Sequence, residues 1–263
     1  MPERIHWDVS SYPGLIPLKN RIKISLKSEE IHLRLWKYYV YSYNQDYALP
    51  LVLLDSNIEP NSENNRHLTD QLYRSDNGWI KAIQRIILGM GGAAALKELG
   101  YTIDKFHLNE GHAVFAFVEK ARGLAKNEIQ ELKKHFAYTC HTPVEAGHDK
   151  FNSGDLSNIL KKDDFEIVRE FGRESGDLIN LTLLAMNVSS AINAVARKHR
   201  DVMHLQFPAY KERIQYVTNG VHTHTWISDR FKALYEKYPS AFKEIKSNPF
   251  VLENARNLKD DKN

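Results

Sequence analysis

Apolar and polar positions follow two rhythms along this chain, and each rhythm predicts an element. The runs IHLRLWKYYVYSY from Ile31 and LPLVLLD from Leu49 are short, β-branched and aromatic, with NQD between them. They predict the two strands of a hairpin over residues 31–55. From Glu59 to Asn77 the chain is polar and rich in turn formers, which predicts a long loop. From Trp79 to Leu99 apolar residues recur at helical spacing, interrupted by Gly89, Gly91 and Gly92. An interior glycine costs a helix about 1 kcal/mol against alanine, so these three mark close backbone packing or a break. Gly100 stands where a helix C′ residue belongs.

Next, YTIDKFHL reads as a short buried strand, followed by a helix from Glu110 to about Lys120 and a second in LAKNEIQELKKHF. AYTCH then makes a strand ending at His141. Strand, helix, helix, strand predicts a parallel α/β sheet. Leu178 to Met203 carries apolar and small residues three and four apart, which predicts one long interior helix with His199 as a satisfied histidine near its end. Ile214–Thr218 is a further strand.

Polar clusters follow three of these strands. The first holds Asn109, Glu110 and His112, just after His107. The second holds His141, Glu145, His148 and Asp149, on a loop shaped by Pro143 and Gly147. The third holds Asn219, His222 and His224. Open α/β sheets bind ligands at the carboxyl ends of their strands. Helix capping accounts for Asn109 and an acidic first turn, but not for two histidines beside them. For the second cluster a plain polar surface loop is the competing reading.

Composition narrows the classes. With 263 residues, 42% of them hydrophobic, the chain can bury one full core, at most with a weakly supported appendage. The formal charge is only +3 and the bases are scattered, densest as pairs at 133–134 and 161–162, which argues against a nucleic-acid groove. The single cysteine, Cys140, rules out an intramolecular disulfide and fits a reducing compartment. MPERIHWDVS lacks the apolar run of a signal peptide and no stretch has the length of a membrane span, so the expected setting is cytoplasmic.

FHLNEGHAVFAFVE, CHTPVEAGHDKF, NLTLLAMNVSSAINAVARKH and VTNGVHTHTW, in this order, resemble the α-glucan (glycogen, starch, maltodextrin) phosphorylase family in its short bacterial and archaeal branch. LPLVLLDSNIE, DQLYRSD and RIILGMGGAAALKELG extend the resemblance from about Ile31 to about Trp226. It implies a Rossmann-like parallel sheet with flanking helices, part of the N-terminal domain of a GT-B glycosyltransferase fold, over residues 1–225. Residues 226–263 would be a helical segment leading towards a second domain, with a frayed charged tail.

The implied reaction is phosphorolysis of α-1,4-glucan to glucose 1-phosphate, assisted by pyridoxal phosphate. By resemblance, His141 lies against the transferred glucose, Asn219 holds the sugar's primary hydroxyl, and Glu110 and His112 line the sugar side of the cleft. The resemblance also implies a substrate-binding aspartate in the loop before the glycine-containing helix, which would be Asp76. The residue types suit the task, since imidazole, amide and carboxylate together supply the donors and acceptors that sugar hydroxyls need.

Two family features are missing: a GGLG-like loop before Ile31, and a GTSG…K-like segment carrying the lysine of the Schiff base. The chain therefore reads as the glucosyl half of an active site, inactive alone, completed by a second chain or by self-association. The alternatives are a non-catalytic glucan-binding or assembly module, and a metal-dependent hydrolase using His107, His112, His141 and His148. Against the latter, no HExxH spacing occurs.

Overall fold

A computed structural model describes residues 9–42, 44–72, 78–222, 226–243, 253–254 and 256. It contains two compact units, Met1–Val217 and Thr218–Asn263.

The first unit opens with an antiparallel sheet of β1 (Ile16–Ser25), β2 (Glu30–Tyr41) and β3 (Ala48–Asp55), in that spatial order. The expected hairpin is β2–β3, paired from Arg34↔Asp55 to Tyr41↔Ala48. β1 is an addition to the expected elements. Its IPLKNRIKIS places bases between the apolar residues and buries only Ile24 fully, so the strand signal is diluted. One sheet face carries Ile24, Ile31, Leu33 and Leu35 into the core. Full burial of a side chain of this size stabilises by about 1.5–3 kcal/mol.

A short helix, α1 (Glu63–Arg66), capped by Ser62, interrupts the expected loop. The glycine-containing helix is α2 (Gly78–Ile86), a π-helical turn (Ile87–Gly91) and α3 (Gly92–Glu98) in succession. Gly100 ends α3 at φ +77°, with the Tyr101 amide donating back to the Leu96 carbonyl.

The second sheet is parallel: β4 (Phe106–Asn109), β5 (Phe136–Cys140), β8 (Ala191–Ala194) and β9 (Ile214–Tyr216), in that order. Between them run α4 (Phe115–Ala121), α5 (Lys126–Leu132), β6 (Lys150–Asn152), α6 (Ser153–Ile159), α7 (Lys162–Gly172), β7 (Leu178–Asn180), α8 (Leu181–Val188) and α9 (Arg197–Gln206). Spatial order follows chain order in one direction, so connections of one hand bring the crossover helices to the same side. Burial agrees with this. Leu108, Tyr138, Cys140, Ile192, Ala194 and Ile214 are buried on one face, while His107, Asn109, Ala191 and Gln215 on the other are exposed.

The single helix expected over Leu178–Met203 does not form. The segment is β7, α8, β8 and the start of α9. Asn180 caps α8, accepting from the Thr182 amide at 2.8 Å and the Leu183 amide at 3.3 Å. The chain leaves α8 at Ser189, and Ile192 and Ala194 enter the sheet between β5 and β9. Alanine favours helix intrinsically, but pairing on both edges of β8 overrides that preference. His199 therefore lies in the first turn of α9, buried, with Nδ1 accepting from the Val195 amide at 3.4 Å.

In the second unit, α10 (Asp229–Lys237) sets Tyr235 against Phe242 with ring centroids 4.6 Å apart. No helix among the described residues is long and apolar enough to cross a membrane.

Candidate functional site

The carboxyl ends of β4 and β5 carry the first two polar clusters on neighbouring strands, with Asn109 paired to Thr139 in the sheet. Asn109 occupies the N-cap position of the 3₁₀ turn Glu110–Ala113, but its side chain makes no capping hydrogen bond. The capping role expected for it is absent. Glu110 follows with φ +57°, a left-handed conformation rare outside glycine and a mark of backbone strain.

That conformation accompanies a short-range network. Glu110 Oε1 accepts from the His141 amide at 2.6 Å, the Thr142 amide at 2.8 Å and the Thr142 hydroxyl at 3.0 Å. Tyr138 Oη donates to Oε2 at 3.5 Å. Glu110 is 8% exposed. Its carboxylate, expected to face a sugar, is instead turned onto the neighbouring strand end. Burial, then the charge of Glu110, pushes the Cys140 thiol up to about 11, so it stays protonated and unreactive. The loop closes tightly here, because a Cβ on Gly147 would fall 2.1 Å from Thr142 Cγ2.

A second carboxylate braces the reverse direction. Asp149, from the β5 loop, takes Lys81 Nζ at 2.6 Å and Arg85 Nε at 2.7 Å, both from α2. His112 Nδ1 stands 3.6 Å from Asp149 Oδ2, at ion-pair distance but beyond a direct hydrogen bond. Burial alone would push the Asp149 carboxyl up. The attraction of His112, Lys81 and Arg85 outweighs it and holds the carboxyl well below its usual range. Sequence alone did not single out Lys81 and Arg85. Their signal is two bases four apart on a largely apolar helix, which share one face.

Of the other candidates, His141 is exposed with its amide anchored, and His112 is half-buried. His107 Nε2 lies 2.6 Å from Thr139 Oγ1 on the exposed sheet face. His148 is buried, with Nδ1 3.0 Å from Thr182 Oγ1 and Nε2 3.4 Å from Gln206 Oε1, so both ring nitrogens hold the β5 loop against the helices. Asn219 and His222 lie in the second unit, in the exposed stretch after β9. Asp76 and His224 lie outside the described residues. Among the described residues, no three His, Cys, Asp or Glu side chains form a group able to hold a metal.

Comparison with known proteins bears on this arrangement. No family model matches the chain. Maltodextrin phosphorylase of Thermococcus litoralis is 36% identical over 209 residues, which cover 72% of this chain and 24% of that protein. Glycogen phosphorylase of Aquifex aeolicus is 29% identical over 283 aligned positions, 97% of this chain and 40% of its own length. The chain is a partial homologue of the α-glucan phosphorylases. Glycogen phosphorylase of Mycobacterium tuberculosis agrees, at 30% identity over 71% of the chain and 25% of its length. The chain thus spans from a quarter to two fifths of these phosphorylases. Its four-stranded parallel sheet and helices fit part of a GT-B phosphorylase domain.

Proposed function

We propose that this chain forms the glucosyl side of a phosphorylase-type active site, with the exposed imidazole of His141 against the sugar to be transferred. The observation that carries this reading is the mutual bracing of two adjacent strand ends. Glu110 of one loop binds the backbone of His141 and Thr142, while Asp149 of the other lies beside His112. Two histidines are thereby held on one rim of a parallel sheet, where such sheets take ligands. Asn219, after β9, is assigned the primary hydroxyl by resemblance.

In the complete reaction the bond from glucosyl C1 to the glucan O4 breaks, a bond from C1 to a phosphate oxygen forms, and a proton passes to O4. Positive charge grows on the sugar ring in between, so a neutral imidazole and backbone carbonyls suit that side better than lysine. Pyridoxal phosphate supplies a phosphate for proton transfer when bound. The residues at this site do not fit the cofactor, because the lysines beside it, Lys81 and Lys150, are held in ion pairs, with Asp149 at 2.6 Å and with Glu145 and Glu174 at 3.2 Å. A second chain or a further segment would supply the phosphate side of the reaction.

Calorimetric titration of the full chain with maltoheptaose is the test. Binding is expected, and His141→Ala or Asn219→Ala should each weaken it about tenfold, the effect of one lost hydrogen bond in a polar site. Unchanged affinity in both variants would refute the assignment. A second reading is glucan binding without turnover, because an exposed, anchored imidazole can hold a sugar without the rest of an active site. Glucose 1-phosphate release from glucan with phosphate and pyridoxal phosphate present would exclude it.

A further inference from the structure

We infer that Glu110 is a positioning residue: its carboxylate fixes the His141–Thr142 turn and presents His141 to the sugar without touching the sugar itself. This rests on the glucosyl-pocket reading above and changes the part that Glu110 plays in it.

A carboxylate offers about four acceptor sites over two oxygens. Three donors already converge on Oε1, from the His141 amide, the Thr142 amide and the Thr142 hydroxyl, at 2.6, 2.8 and 3.0 Å. Oε2 faces the Tyr138 hydroxyl, and the residue is 8% exposed. Oε1 is saturated and Oε2 is buried against Tyr138 at 3.5 Å, so the carboxylate is turned into the protein rather than towards a ligand. The charge is spent within the protein, where bonds to an ionised acceptor are about twice as strong as neutral ones.

The turn has little freedom besides. Thr142 is wedged against Gly147, and Cys140 Sγ lies 3.5 Å from the Thr142 carbonyl oxygen. The strained φ of +57° at Glu110 is the backbone cost of sending its side chain across to the next strand. A residue that merely packed would not need it. His141 keeps its side chain exposed while its amide is tethered, as a presented group requires.

The test pairs site-resolved amide exchange at His141 and Thr142 with maltoheptaose affinity, for the wild-type chain, Glu110→Gln and Glu110→Ala. Glutamine keeps an acceptor oxygen without the charge, and it serves alone should the alanine variant fail to fold. Positioning predicts that exchange quickens and affinity falls together. The alanine variant should lose about tenfold or more, and glutamine should recover part of both.

Affinity lost with exchange unchanged would make Glu110 a direct sugar ligand and overturn the inference while leaving the glucosyl pocket standing. Faster exchange with affinity unchanged would reduce the contact to a structural one and overturn it equally. Absence of maltoheptaose binding by the wild-type chain would sink the pocket reading and this one with it, whatever the exchange rates.

Discussion

Replacing Gly89 by alanine is expected to destabilise the first unit by about 3 kcal/mol, the upper part of the usual range for an overpacked core. A Cβ there would meet Ala116 N at 2.7 Å, Phe115 Cβ at 2.7 Å and Phe115 C at 2.8 Å. Two of these three atoms are backbone at the start of α4, so no side-chain rotation relieves the clash. The helices must move apart, and both are built into the core through Ile86, Met90, Phe115 and Phe117. Gly92 provides the control. It sits in αR conformation at φ −60° with nothing within 4 Å of where an alanine methyl would lie, so alanine there should be neutral or stabilise by up to about 1 kcal/mol. Urea midpoints at unchanged slope would report both. A Gly89→Ala protein as stable as wild type would mean that the π turn does not need this approach.

Asp149→Asn should cost about 3–5 kcal/mol, as expected when one partner is removed from a buried charge cluster. Arg85 and Asp149 side chains are 9% and 8% exposed, so the amide would leave a buried guanidinium facing Lys81 without a counter-charge. The sign with pH follows from the direction of the shift. Asp149 is held below its ordinary carboxylate range in the folded chain, so its stabilisation is complete above about pH 4 and fades as pH falls towards the lowered folded value. The stability gap between wild type and Asp149→Asn should thus be full at neutral pH and narrow below about pH 4. Denaturation at several pH values would show it. A gap that widened on acidification would contradict the assigned charge state.

Much of the architecture was legible because local pattern and tertiary demand coincide. The β2–β3 hairpin, the helix closed by Gly100, and the β4–helix–helix–β5 alternation are segments whose own periodicity matches the layer they enter. The errors lie where they conflict. Ile192 to Ala194 is helix-like in composition and strand by partnership, since pairing with β5 and β9 on both edges overrides the local preference. β1 failed for the opposite reason: its bases mask an alternation that only the sheet makes meaningful.

At the candidate site, sequence order brought polar groups to the ends of strands but could not say which way a carboxylate would turn. By resemblance, and by its place at the end of a strand, Glu110 read as a ligand for sugar. It became a brace because β4 and β5 are adjacent and its φ is positive. Lys81 and Arg85 are remote from Asp149 along the chain, and only the packing of α2 against the β5 loop joins them.

The sequence by itself determined the class of the fold, the strand ends at which polar residues gather, and the kinship with α-glucan phosphorylases, since these depend on periodicity and on ordered short motifs. Tertiary structure alone decided that residues 178–206 are two strands and two helices, that Glu110 bonds across to the β5 loop while Asp149 binds α2 and lies beside His112, and that His148 serves the scaffold. The reason is physical. Hydrogen bonds and ion pairs between residues far apart in sequence form only after hydrophobic burial has brought their elements together, and no local rhythm encodes which polar atom then meets which.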